Sequence, residues 1–268
     1  MTEHIEDDYV LVSAPNLPTT NTAPTSSSTP SHLSTISTYI DYLSPKFRHL
    51  SLLIHDNPEL NYKEYKAYAS LVKFFKGLGG WDVEEKACGI DTAFVAVFDN
   101  REIKKKDGSK GEVVSFNAEY GEFSPVQAHN SDDRDALPRI GHACGHNLIA
   151  IASISAALAT KHTMQKHNIA GKVVLFGTPA EEGGGGKIKL LNAGAYTKHN
   201  IGVSLISHPG ITPDASLVRT SAFSAFKVEY FGKEAHAAAA PWEGINALDA
   251  LITAYTAISC LRQQTQPG

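Results

Sequence analysis

Residues 172–177, Lys-Val-Val-Leu-Phe-Gly, form a short, almost unbroken apolar run of the length of one buried strand. Similar runs at 113–118 and 201–206 lie on either side of it along the chain. Between them the Ala- and Ile-rich stretch 148–162 predicts a helix, and 187–193 predicts a shorter one ended by Gly194. Upstream, strands are predicted at 81–85 and 92–98, and a helix at 64–76 stopped by Gly77, Gly79 and Gly80. The alternation predicts an α/β fold, a mainly parallel sheet with helices on both faces. Ligands bind such sheets outside the carboxyl ends of the strands.

Three segments divide the chain. Residues 1–36 are acidic, then rich in Ser, Thr and Pro, with too little apolar surface to offset ordering entropy, and predict a disordered tail. Residues 37–215 hold the alternating pattern and read as the N-terminal part of a catalytic-type domain. Within them, 36–54 has helical apolar spacing, and Pro45 predicts a break or kink. Residues 216–268 read as the incomplete start of an α+β unit. It has a long strand or strand pair at 216–231, alternating at Phe226, Val228 and Tyr230, then a helix at 244–261.

Composition narrows the function. A net charge of −4, from 24 basic and 28 acidic residues, gives no nucleic-acid surface. The densest basic run, Lys104 to Lys106, reads as a solvated loop. No apolar run reaches the ~18 residues of a membrane span, so no membrane partner is expected. Cys88, Cys144 and Cys260 are too few and too spread for a disulfide framework, which favours a reducing compartment and a cytoplasmic protein.

The chemistry-bearing residues gather after the predicted strands. GHACGHN, residues 141–147, places Cys144 and His146 two apart. In an extended segment both would face one side and could reach one metal; on spacing alone a buried cysteine beside a satisfied histidine is the plainer reading. Glu181 and Glu182 follow the 172–177 run and precede four glycines, so one can ligate a metal while the other accepts a proton from water. Acids opening a solvated helix are the plainer reading. The glycines do not make a phosphate loop, because Glu181 and Ile188 stand where Gly and Ser or Thr are required. His208 precedes Pro209 at the end of the third run, and His236 lies in the final segment. Thiolate, imidazole and carboxylate together are a zinc-type ligand set. Asp135 could orient a ligand from behind.

At these residues the chain resembles a known family, the aminoacylase/carboxypeptidase co-catalytic metallopeptidases, peptidase family M20. The motifs are His-Asp-Asn-Pro-Glu-Leu at 55–60, Asp-Ala-Leu-Pro at 135–138, GHACGHN, PAEEGGGGK at 179–187, His-Pro-Gly at 208–210 and GKEAHAAAAPWEGINALDA at 232–250. Within the family it looks closest to the amidohydrolase branch with cysteine as a metal ligand, and there to the Xaa-Arg or β-alanyl-lysine dipeptidases. The resemblance implies a phosphorylase/hydrolase-like catalytic domain with a lid and dimerisation domain. It implies two divalent metals, zinc above manganese or cobalt, held by Cys144, His146, Glu182 and His208. Glu181 would be the general base and His236, on the lid, the oxyanion donor, in a partner subunit's site of a homodimer. Dipeptides or N-acyl amino acids would be the substrates.

Two departures from the family pattern are expected to matter. The family's further metal-ligand histidine, on the segment returning from the lid, has no counterpart here, and the 14 residues 121–134 are an apparent insertion. A non-catalytic fragment that binds a partner through its lid is therefore the alternative to an amidohydrolase. A cysteine hydrolase using Cys144 is a third reading, without a supporting acyl-enzyme constellation.

Overall fold

The computed structural model describes residues 32–103, 108–121, 141–142, 144–210 and 226–264. Most of the predicted tail, Lys104 to Lys106, residues 122–134 of the apparent insertion, Asp135 and the first part of the predicted strand at 216–231 lie outside them. Two compact units divide the chain between Pro209 and Gly210, and each is described by itself.

The first unit is α/β. Helix α1 spans Leu33–His55, so residues 33–36, assigned to the tail by composition, are its first turn. Of the break or kink expected at Pro45, no break occurs: the helix runs through it. Proline removes one backbone hydrogen bond, but Pro45 faces solvent while Leu43, Phe47, Leu50 and Ile54 on the opposite stripe are buried. Packing of that stripe outweighs the local cost. Helix α2 is Tyr65–Leu78. Strands β1 (Asp82–Glu85), β2 (Phe94–Asp99) and β3 (Val113–Glu119) follow. Then come helix α3 (His146–Lys166), strand β4 (Lys172–Thr178), helices α4 (Gly186–Asn192) and α5 (Ala195–His199), and strand β5 (Val203–Leu205).

The sheet order is β1-β2-β4-β3-β5. Strands β3, β4 and β5 are parallel, as expected, but β2 pairs antiparallel with both β1 and β4, so the sheet is mixed. Residues 86–93 are too short a connection for a parallel crossover, which needs a dozen or more residues. Side-chain alternation then sorts the core. Phe94, Ala96, Phe98, Phe116, Val173 and Leu175 face α1, α2 and α3. Val95, Val174 and Phe176 face the other way, against Leu190 and Ala195 of α4 and α5. Helices thus cover both faces, and β4 is buried along its whole length.

At the amino end of β4, Lys172 donates to Nδ1 of His199 at 3.0 Å. Burial, then the charges of Lys172 and Lys198, hold His199 below the ordinary imidazole range, with Glu84 opposing. A histidine held low in the folded state is protonated first in the unfolded chain. Stability is therefore expected to fall as the pH drops below about 6.5 toward the folded value. His199→Gln keeps an acceptor for Lys172 and should flatten this part of the profile. Urea unfolding at pH 7.5 and 5.5 checks it, and equal losses in both proteins would refute it.

In the second unit, α6 (Ala247–Cys260) begins at Asn246, whose side chain accepts the Leu248 amide at 3.1 Å. The predicted strand does not form at its described end. Among the described residues, Phe226, Val228 and Tyr230 are exposed by 71%, 53% and 37% and lie in no ladder, and Lys233 bridges to Ile245. Alternation gives a strand only where another strand takes its hydrogen bonds.

A candidate metal centre at the carboxyl edge of the sheet

The parallel strands end at one edge, and the register pairs Glu119 of β3 with Thr178 of β4. From that edge come Glu119 at the end of β3, Glu181 and Glu182 three and four residues past β4, and His208 three residues past β5. Cys144 and His146 arrive from the start of α3. They are not in an extended segment as expected: His146 is the first residue of the helix, and Gly145 precedes it with φ +83°. That left-handed residue turns the chain between the two side chains at low cost because it is glycine.

Two groups of donors converge. Cys144, His146 and His208 offer ligand atoms all within 4.8 Å of one another, and so do Glu119, His146 and Glu181. Cys144 Sγ lies 3.0 Å from Nε2 of His208. Both histidines are oriented from behind. Nδ1–H of His146 donates to the Gly121 carbonyl, and Nδ1–H of His208 to the Pro209 carbonyl at 2.6 Å. In the neutral ring this leaves the Nε2 lone pair facing the site, the arrangement that metal-ligating histidines use.

Around Nε2 of His146, itself fully buried, stand Oε2 of Glu119 at 3.7 Å, Oε2 of Glu181 at 3.7 Å and Oε1 of Glu182 at 3.9 Å. Lys187 takes the other oxygens, donating to Oε1 of Glu119 at 2.5 Å and of Glu181 at 3.3 Å. Burial pushes the Glu119 carboxyl up, against the hydrogen bond and charge of Lys187. Burial draws Lys187 down, but Glu119 and Glu181 more than reverse that and leave it raised. Carboxylates aimed at an imidazole lone pair repel it unless a cation stands between them. A thiolate, two imidazoles and carboxylates are a donor set for a borderline divalent metal, so the residues fit one.

Of the residues singled out in the sequence, the structure gathers Cys144, His146, Glu181, Glu182 and His208 at this edge. Glu181, not Glu182, joins the tight donor group. Glu119 and Lys187 were not anticipated as site residues. An acid closing an apolar strand, as Glu119 does, is the signal that could have found the first. His142 serves elsewhere, bonding the Ile54 carbonyl at the end of α1 at 3.0 Å. His236 lies in the second unit, where its Nδ1 accepts the Ala238 and Ala239 amides at 3.2 and 3.1 Å, leaving Nε2 as the N–H donor.

No protein-family model matches the chain. It is 40% identical over 235 residues to the Xaa-Arg dipeptidase of Mus musculus, covering 85% of this chain and 49% of that protein. It is 29% identical over 213 residues to a subunit of the p-aminobenzoyl-glutamate hydrolase of Escherichia coli K12, covering 78% of this chain and 42% of that one. The chain spans about half the length of the curated relatives it matches. Its fold is that of a provisionally assigned aminohydrolase from methicillin-resistant Staphylococcus aureus, with a TM-score of 0.58 at 20% identity over 88% of this chain and 61% of that one. From its identity to the Xaa-Arg dipeptidases over 85% of its own length, the chain belongs to peptidase family M20.

Proposed function

We propose that the chain carries the metal centre of an amidohydrolase that cleaves dipeptides or N-acyl amino acids, with zinc as the metal. The observation that carries this reading is the convergence of Cys144, His146, His208 and three carboxylates on one edge of the sheet. Cys144, His146, Glu119, Glu182 and His208 would hold the metal pair, and the thiolate favours zinc over manganese or cobalt. A metal bound there supplies Lewis acidity to the scissile carbonyl and to water.

The chain's own residues supply the rest. Glu181 takes the proton of the attacking water and hands it to the leaving amine. Lys187 holds one oxygen of Glu181 at 3.3 Å and leaves the other toward the site. His236 Nε2–H is a donor of the kind that stabilises an oxyanion, in a dimer formed through the second unit. The name of the mammalian relatives favours a basic C-terminal residue on the substrate. Three thiols without a disulfide among them fit a cytoplasmic setting.

The test is metal analysis of the purified chain together with arginine release from Xaa-Arg dipeptides and N-acetylarginine, with and without chelator. Stoichiometric zinc and chelator-sensitive release are expected. Trace metal with no release would remove the reading, and release that survives chelation but not thiol alkylation would favour a cysteine hydrolase.

A further inference from the structure

We propose that the turn at residues 61–64, between α1 and α2, is a clamp that sets the metal centre, with Glu64 as its positioning residue. The inference rests on the metal-site reading above, and it concerns residues that reading does not use.

Glu64 is fully buried. A buried carboxylate is a costly way to fill space unless donors satisfy it. Here Oε1 accepts the Ala180 amide at 2.9 Å and Oε2 accepts the Thr92 hydroxyl at 2.9 Å. Ala180 is the residue immediately before Glu181, and its φ is +52°, a left-handed conformation that alanine rarely takes. Such a residue persists only where its surroundings over-determine it. Glu64 holds its N–H, and the Gly186 amide holds its carbonyl at 3.1 Å, so the clamp fixes one side of this residue and the glycine loop the other.

The same carboxylate lies against Gly121, where a Cβ would come within 2.3 Å of Oε1. The Gly121 carbonyl is the group that orients His146. One buried side chain therefore bears on both segments that deliver the shared imidazole and the carboxylates. Its neighbours in the turn hold the rest of the glutamate loop. Asn61 Nδ2 donates to the Glu182 carbonyl at 2.7 Å, and the Tyr62 hydroxyl donates to the Gly184 carbonyl. Tyr62 is itself left-handed, at φ +61°, with the Lys189 ammonium 3.9 Å from its ring centroid. Three of four consecutive side chains thus reach the backbone of residues 180–184, 116 to 122 residues away in sequence.

A clamp and a mere packing residue predict different results. Glu64→Gln is nearly isosteric and preserves packing, but its amide cannot accept two hydrogen bonds on two oxygens. Zinc affinity, read by competition with a chromogenic chelator on the full chain, is expected to fall about 10–100-fold in Glu64→Gln, the usual cost of losing a residue that orients ligands. Tyr62→Phe, which removes one partly buried hydroxyl, should fall by less, and it carries the test if the glutamine variant does not fold. The Co²⁺ absorption bands of both should shift, and kcat should drop more than KM rises. Unaltered zinc affinity and Co²⁺ spectra in both variants, with zinc bound by the parent chain, would overturn the clamp and leave the metal-site reading standing. A parent chain that binds no zinc would overturn both.

Discussion

Glu181→Gln is expected to lower kcat by about 10²–10⁴-fold, the usual contribution of a positioned general base, with bound zinc unchanged. In free energy that is about 3–5.5 kcal/mol of transition-state stabilisation. The substitution isolates the proton-accepting role. A glutamine carbonyl still accepts from Lys187, which bonds Oε1 of Glu181 at 3.3 Å, so the loop keeps that tie. What it loses is the carboxylate oxygen facing the site, 3.7 Å from His146 Nε2. Glu182→Gln is the necessary partner experiment, because both carboxylates approach that nitrogen and Glu182 is only slightly farther, at 3.9 Å. On the proposed roles, Glu182→Gln loses metal and activity together, while Glu181→Gln loses activity alone. If metal content falls in the first glutamate's variant and not in the second's, the two exchange roles. Full turnover in both would remove the acid–base step from this pair altogether.

The sheet was legible in the sequence because its strands are apolar runs bounded by breakers. Val113–Glu119 and Lys172–Thr178 lie within a residue of where their composition put them. The direction of β2 was not, since periodicity shows a strand without showing its partner. At Pro45 the helix is not broken, because the buried stripe of Leu43, Phe47 and Leu50 outweighs the local cost of the proline. At the site the residue types were readable, since few structural needs place a cysteine, two histidines and paired glutamates after successive strands. Glu119 and Glu64 were not readable for a common reason. Each is a buried acid whose meaning lies in partners distant along the chain: Lys187, 68 residues from Glu119, and Ala180, 116 residues from Glu64. Spacing can group Cys144 with His146 because one turn joins them; it cannot group residues that only the tertiary fold brings together.

His146→Ala is expected to abolish the centre as a whole, because its imidazole is the one member shared by both donor groups. Removing a residue that merely orients a ligand costs about 10–100-fold in metal affinity, so removing the shared ligand should cost more than about 100-fold. Thermal unfolding with and without zinc turns this into a stability measurement. At a zinc concentration 100 times the parent's dissociation constant, binding to the folded state alone stabilises it by about 2.7 kcal/mol. With affinity down by 100-fold or more, the same zinc stabilises the variant by less than about 0.4 kcal/mol. The substitution will also harm the metal-free fold, since His146 is fully buried and its ring satisfies the Gly121 carbonyl. Each protein is therefore compared with its own metal-free form, which cancels that loss and leaves only the zinc increment. A zinc-dependent rise in His146→Ala equal to the parent's would mean that the metal binds without this imidazole. The convergence of strand ends on His146 would then be a feature of packing rather than of chemistry.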